Sequence, residues 1–507
     1  MNTRSHHPKH DPDGGTGRAR GVSAAAPEAV RADRAAGVVV ASACGDALGA
    51  GYEFGPSLGT EVDVHMKGGG AFDWAPGEWT DDTQLALAIL APIADGDTDP
   101  LPAIEVGFRA WFASDPADVG NQTRRALSDE RPLAVAAADD AERNPGAAGN
   151  GSLMRTGPVA LAHPGDPAAI AELAARVSAL THATDDCVDA CVLWSVAIDA
   201  TVRQAPGSAE AHDWAGPLRD ALVHIPAARR ATWRERIDEA TTADPRQFVE
   251  NGWVVHAFQA ALASICSTPA PDDEPSCVHL QRALDRAVRC GGDTDTVAAI
   301  AGSLLGARWG ATAVPLAWRR VVHGRRTYDA PVERAADLER LARLAHDGGR
   351  PDQQGWPGVP SLRDHYEQHF PARPLLVDVE EVRFGNVHAL DRAIATDADV
   401  VVSLCRMGTA EVRPPAEHHV LGLIDSNADD NPNAAFLLTD LASTLRTLVD
   451  EGHRPFVHCV QAENRTPAAA IAWLIANGVG AEAAVERVAA ALDRPQPFLV
   501  DASVTGT

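Results

Sequence analysis

The chain has 507 residues and a formal net charge of −26, from 44 Lys and Arg against 70 Asp and Glu. At roughly 100–200 residues per domain the length predicts two or three domains, and the 45% hydrophobic fraction excludes a disordered chain. The acidic balance argues against nucleic acid or an anionic membrane as main partner and leaves room for divalent cations.

Taken in chain order, residues 1–30 are polar, lack the apolar stretch of a signal peptide and are expected to be a disordered tail. From 31 to about 325, Ala and Leu recur at helical spacing in Leu85–Ala94, Ala168–Leu180, Val188–Val202, Val254–Ile265, Leu280–Val288 and Val297–Leu305. An all-α domain is expected there. Residues 326–370 contain the Pro-, Gly- and Gln-rich run Arg350–Gly358 and are expected to be a linker region; the helical run Pro331–His346 could belong to either side. Beyond it, short β-like runs (Leu375–Val377, Val400–Leu404, Val420–Ile424, Pro455–Val457) alternate with helical ones (Val387–Ala395, Ala434–Glu451, Ala468–Ala476). That alternation predicts a smaller α/β domain over 371–507 with a mostly parallel sheet. No run of about 18 consecutive apolar residues appears, so no membrane span is expected. The eight cysteines are scattered and form no paired zinc motif, which fits a reducing, cytoplasmic setting.

Four segments of the helical part carry unusual polar chemistry: Gly45-Asp46-Ala47-Leu48-Gly49 followed by Glu53; Thr80-Asp81-Asp82; Gly149-Asn150-Gly151-Ser152-Leu153-Met154-Arg155 with His182 downstream; and Asp293-Thr294-Asp295-Thr296. The second and fourth each stand before an apolar helix. One such segment reads as an N-cap, in which Asp or Thr accepts free backbone N–H groups. Two of them, each with paired carboxylates, offer hard oxygen ligands suited to Mg²⁺ or Mn²⁺ and unsuited to zinc. Spacing alone leaves metal ligation and capping equally open. Asp46 reads first as a structural residue that caps a helix or holds the Glu53 loop. Trp79 and Trp194 read as packing residues.

In this order and spacing the four segments resemble the ADP-ribosylglycohydrolase family, over about Ala36 to Gly310. The resemblance implies an all-α fold holding one or two Mg²⁺ or Mn²⁺ ions, with Thr80, Asp81, Asp82, Asp293, Asp295 and Thr296 as ligands. It implies Glu53 near the scissile bond, and Gly149, Asn150, Gly151, Ser152, Met154 and His182 lining an ADP-ribose pocket. The reaction implied is cleavage of the C1″ glycosidic bond of an ADP-ribosylated protein or small molecule, through an oxocarbenium-like state. A non-catalytic ADP-ribose binder or sensor, with the second domain as main activity, is the alternative.

In the second domain, Val457-His458-Cys459-Val460-Gln461-Ala462-Glu463-Asn464-Arg465-Thr466 has the spacing Cys-x5-Arg between a β-like run and a helix. A loop over a helix N-terminus aims backbone N–H groups at an oxyanion and favours a thiolate, while an Arg can clamp two phosphoryl oxygens. The segment resembles the dual-specificity type of cysteine phosphatase. That resemblance implies Cys459 as nucleophile, Arg465 as clamp, His458 and Thr466 as aids to the thiolate, and an upstream Asp as general acid, for which Asp425 is favoured over Asp429 and Asp430. Ala462, where such loops often carry Gly, and the charged Glu463 depart from the pattern.

Overall fold

The computed structural model describes residues 26–206, 213–426, 430–492 and 501. Their side chains gather into two hydrophobic cores, the first built by helices and the second around a sheet.

Longer helices of the first core are α1 (Glu28–Gly49), α2 (Asp81–Ala94), α3 (Asp185–Arg203), α4 (Val254–Cys266), α5 (Thr294–Trp309) and α6 (Ala335–His346). A two-residue strand pair, His323–Gly324 with Glu333–Arg334, stands near its end. Helix α1 is long and apolar enough to pass as a membrane span, but most of it is buried inside the fold. Its small residues Gly37, Ala41, Gly45 and Gly49 recur every four positions and so share one face. That face meets α5 backbone to backbone. A Cβ on Gly306 would stand 2.0 Å from the Gly37 carbonyl oxygen, and one on Gly49 would stand 2.4 Å from the Asp295 Cα. No side chain fits between the helices, so the C-terminus of α1 fixes the N-terminus of α5. The Thr294 hydroxyl completes the joint by donating to Gly49 O at 2.9 Å.

Ordered structure begins inside the expected tail. Ala26 is buried, its N–H donates to Arg203 O at 3.1 Å, and α1 starts at Glu28. Residues 1–25 lie outside the described residues. The expected linker 326–370 is also largely structured. Leu338, Leu341, Ala342 and Ala345 of α6 belong to the first core, and Leu362 and Tyr366 to the second. Apolar spacing in 335–346 outweighs the polar composition on either side.

The second core surrounds β1 (Leu376–Val379), β2 (Val382–Asn386), β3 (Val400–Ser403), β4 (Glu417–Val420) and β5 (Pro455–Cys459), in the spatial order β1-β2-β5-β3-β4. Only β1–β2 is antiparallel; the other pairs are parallel, as the alternation of elements predicts. Helices α7 (Ala434–Asp450), α8 (Arg465–Ala476) and α9 (Ala481–Leu492) follow. β2 has no counterpart in the sequence reading. β4 ends where Val420–Ile424 was expected to begin, because the Leu423 carbonyl accepts from Arg465 instead of a neighbouring strand. The two cores interlock: Leu316 packs into the second core and its N–H donates to Asp440 on α7 at 2.7 Å, Arg319 donates to Val420 O at 3.0 Å, and Phe436 packs into the first core.

Candidate active site

Three helix ends converge on one acidic cluster. Asp46, near the end of α1, accepts from Thr80 N–H at 2.9 Å, Thr83 N–H at 3.1 Å and the Thr83 hydroxyl at 2.6 Å. It therefore pins the start of α2, where Thr80 caps the helix by accepting from Asp82 N–H. From α5, the Thr296 hydroxyl donates to Asp82 at 3.1 Å. Asp46, Asp82 and Asp295 place carboxylate oxygens within 4.8 Å of one another, and so do Glu53, Asp293 and Asp295. Asp81, Asp82 and Asp295 are buried and form the floor; Glu53, Asp118 and Asp293 are half-buried and form the opening.

The loop before α5 needs its glycines. Gly291 and Gly292 have φ of 77° and 72°, and a Cβ on Gly292 would strike the Asn251 Oδ1 at 2.4 Å. That oxygen accepts from Asp293 N–H at 3.0 Å, while Asn251 Nδ2 donates to Gly291 O at 2.8 Å. Asn150 Nδ2 donates to Asp293 Oδ2 at 2.7 Å. Spacing singled out neither Asn251 nor Asp118; each sits in an ordinary polar turn with no flanking repeat to mark it.

Electrostatically the cluster is dominated by like charges. Burial, then Asp118, Asp46, Glu53 and Asp293, pushes Asp81 well above the usual carboxylate range. Burial, then Asp46 and Asp81, does the same to Asp82; burial, then Asp82 and Asp293, does so to Asp295. Glu53 is pushed up to about 9 by burial and by Asp293, Asp118 and Asp46, and its Oε2 is buried without a hydrogen-bond partner. Carboxylates held this close, with Arg155 acting on Asp81 and Arg124 on Asp118, suit a hard divalent cation.

The sequence pattern of the ADP-ribosylglycohydrolases matches residues 27–353. The chain belongs to the ADP-ribosylglycohydrolase family. It is 29% identical over 322 residues to "ADP-ribosylarginine hydrolase Tri1" of Pseudomonas putida (strain GB-1), covering 62% of this chain and 77% of that protein. It is 31% identical over 290 residues to "ADP-ribosyl-[dinitrogen reductase] glycohydrolase" of Rhodospirillum rubrum, covering 56% and 89%. A solved "ADP-ribosylglycohydrolase-related protein complex" aligns at 28% identity and TM-score 0.49, over 63% of this chain and 99% of that one.

Within this ADP-ribosylglycohydrolase the glycine-rich segment is only partly free to meet a ligand. Gly149 N–H donates to Gln122 Oε1 and Asn150 N–H to Gly252 O, so neither amide is free for a ligand. Ser152 is buried, its hydroxyl accepting from Ser178 and Cys191. Met154 and Thr296 touch, at 3.9 Å between sulfur and hydroxyl oxygen. His182 is buried, and burial with Arg155 holds it well below the usual histidine range. Its Nδ1 lies 2.7 Å from the Thr181 hydroxyl, which also accepts from Arg155. A Cβ on Gly151 would lie 3.0 Å from the ring, so His182 backs the glycine segment closely. Trp79 and Trp194 are fully buried, as packing residues should be.

The sheet region lies outside the family match. Cys459 ends the central strand β5 and is buried; Arg465 opens α8. Arg465 donates to Leu404 O at 2.9 Å and to Asp425 at 3.2 Å, and Asp425 also accepts from Asn464 at 3.1 Å. Arg465 and Asp425 are thus brought together, and Cys459 lies close enough to act on the Arg465 charge. His458 and Thr466 are not placed as aids to the thiol: His458 bonds Ser403 at 2.8 Å and Thr466 donates to Gly385 O at 3.1 Å. Burial, with His418, holds His458 down at about 3. Ala462 takes a φ of 57°, which accounts for the glycine usual there, while Glu463 points to solvent. Asp429 lies outside the described residues, and Asp430 accepts from Ser426 at 2.5 Å.

Proposed function

We propose that the helical region is a metal-dependent ADP-ribosyl hydrolase that releases ADP-ribose by cleaving the C1″ bond to an acceptor on a protein or small molecule. The observation that carries this is the convergence of carboxylates from three helix ends, whose charges raise one another's affinity for protons. Thr80, Asp81, Asp82, Asp293, Asp295 and Thr296 would hold Mg²⁺ or Mn²⁺. Such a cation supplies charge neutralisation and Lewis acidity to ribose hydroxyls and water. Asp46 binds no substrate in this reading; it holds α2 in place through its bonds to Thr80 and Thr83. Asn251 and Asn150 orient Asp293. Glu53, at the opening, has an oxygen that is buried and unpartnered among the described residues, and so holds or moves the proton exchanged at the glycosidic bond. The test is release of free ADP-ribose from modified substrates with Mg²⁺ or Mn²⁺ and then with chelator. Undiminished release in excess chelator rules the metal out.

We further propose that the sheet region is a separate domain that binds or hydrolyses phosphate at the Cys459 loop. It is supported by the meeting of Cys459, Arg465 and Asp425, and by an Arg465 Nε buried without a partner. Turnover of a generic aryl phosphate, lost in Cys459→Ser, tests hydrolysis.

A further inference from the structure

The chain that follows Glu53 walls a second cavity, of about 690 Å³, within the size range of small-molecule sites. No residue of the acidic cluster lines it. Another wall is the helix His279–Val288. Arg282 and Arg286 stand one turn apart on that helix and Arg289 follows three residues later, so the three share a face. Arg246 adds a fourth guanidinium. Three of the four are committed: Arg246 to Asp244 at 2.6 Å, Arg282 to Glu274 at 2.8 Å and Arg289 to Asp285 at 2.6 Å. Arg286 is not. It is half-buried, its guanidinium has no hydrogen bond or ion pair among the described residues, and its charge reaches Asp244 only at a distance. The Gln281 amide and the Trp318 indole N–H line the same cavity, also without a partner among the described residues. Leu48, Leu58, Val64 and Val278, in the first core or packed against it, supply apolar wall.

We propose that this cavity binds an organic anion with a flat apolar body, its acidic head on Arg286 and its body against the apolar wall and Trp318. The chain as a whole carries −26, yet here every lining carboxylate is paired and one guanidinium is left over, a local reversal of sign. A free guanidinium presents its N–H groups as a planar fork that an oxyanion of phosphate, sulfonate or carboxylate type accepts two at a time. An inorganic anion would leave the apolar wall wet, whereas an apolar body takes that surface out of water. Gln281 and the indole N–H then serve polar atoms at the edge of the body. The seat is also tied to the Glu53 loop. Arg289 donates to Gly59 O and, at 2.9 Å, to Val62 O; its own carbonyl accepts from Leu58 N–H at 3.1 Å; and Ser57 donates to Cys290 O at 2.6 Å. An occupant lying on both walls therefore braces residues 57–62 against the segment that leads into Asp293.

The site needs neither metal nor turnover, so its test is independent of the hydrolase reading. The probe is naphthalene-1-sulfonate, which has the flat body and the anionic head but no ribose for the acidic cluster and no phosphate for the Cys459 loop to cleave. Titrated by calorimetry into the full chain without metal, it should bind, and inorganic sulfate should bind at least about tenfold more weakly. Arg286→Met should weaken the probe by roughly tenfold to a hundredfold, and Arg286→Lys should recover part of the loss. Gln281→Glu, which sets a carboxylate in the cavity without touching Arg286, should weaken it comparably. Arg465→Gln should leave it unchanged, which separates this site from the Cys459 loop. Melting temperatures equal to wild type separate binding from folding. In hydrogen exchange the probe should slow the amides of residues 57–62 and 281–289. No binding to wild type, or binding that ignores residues 281 and 286, overturns the site. Binding that protects neither segment overturns the bracing of the Glu53 loop.

Discussion

The two regions of this molecule use the same local device and leave it in opposite states. Each sets polar residues at the start of a helix: Asp81-Asp82 and Asp293–Thr296 in the helical region, Cys459–Arg465 in the sheet region. In the helical region the carboxylates crowd together, each raises the others' affinity for protons, and Glu53 has an oxygen with no partner. In the sheet region Arg465 already bonds Leu404 O, Leu423 O and Asp425, and Asn464 braces Asp425. The first is an arrangement that folding alone makes worse, and a cation would make better. The second is satisfied except at the Arg465 Nε, which is buried without a partner. Unsatisfied groups held in place are the stronger sign of a binding site, because burial charges the fold for them.

The comparison breaks most directly at Asp295. Asp295→Ala removes the residue common to both carboxylate groups of the cluster. ADP-ribose release should fall by about a thousandfold or more. The thermal stabilisation that Mn²⁺ gives wild type, about 2.7 kcal/mol at a hundredfold excess over Kd, should disappear. Without metal the variant should be as stable as wild type or more so, since a buried like charge has gone. Retained activity, or a variant that melts lower only in the absence of metal, would make the cluster a structural network.

Next comes the joint that brings the helix ends together. Gly306→Ala places a methyl group 2.0 Å from the Gly37 carbonyl oxygen, so α1 and α5 must part. The expected cost is about 2–4 kcal/mol of stability by denaturant unfolding, together with a fall in ADP-ribose release larger than the stability loss explains. A variant of normal stability and normal activity would show that the close crossing does not position Asp295.

These two positions also show what the sequence could reveal. Adjacent carboxylates before apolar helices were legible, because ligands and the start of an amphipathic pattern sit within four residues of each other. The stripe Gly37, Ala41, Gly45, Gly49 is equally legible in its spacing, though it speaks of helix crossing and not of chemistry. Asp118 and Asn251 were not legible. Each enters the site through tertiary placement of a turn, and nothing local distinguishes Asp118 from the exposed Asp115 three residues before it. The glycine-rich segment misled in part, since small residues there make room for His182 and leave two of the amides bonded internally. Strand β2 was missed because Arg383, Gly385 and Asn386 interrupt its apolar run and it follows a tight turn whose Glu380 takes a φ of 56°.

A smaller effect sharpens the sheet side. If Asp425 holds Arg465 against an incoming anion, Asp425→Asn should tighten inorganic phosphate binding by roughly threefold to tenfold, read by calorimetry. If Asp425 is also the general acid, the same variant should turn over aryl phosphate more slowly while ADP-ribose release is unchanged. Weaker phosphate binding in Asp425→Asn would mean that the carboxylate orders the loop and does not compete for Arg465.

A further effect lies between the regions, at Asp440. This carboxylate sits on α7 of the sheet region and accepts from Leu316 N–H of the helical region at 2.7 Å. Burial pushes it up to about 6, only partly offset by that bond and by Arg319. The native state therefore binds a proton more readily than the unfolded chain, whose carboxyl titrates near 3.8. Between about pH 4 and pH 6 the native protein holds more protons than the unfolded one, so this group makes stability fall as pH rises through that window. The penalty is complete above pH 6 and absent below pH 4. Asp440→Asn keeps an acceptor for Leu316 N–H and removes the charge. It should flatten this contribution and leave the variant about 1–2 kcal/mol more stable than wild type at pH 7, with no gain at pH 4. If the two regions unfold together, the change appears in a single transition. If they unfold separately, it should appear in the step that parts α7 from Leu316, and the transition carrying the metal-dependent stabilisation should stay where it was. An Asp440→Asn variant less stable than wild type at pH 7 would show that the buried charge itself ties the regions together, through Arg319.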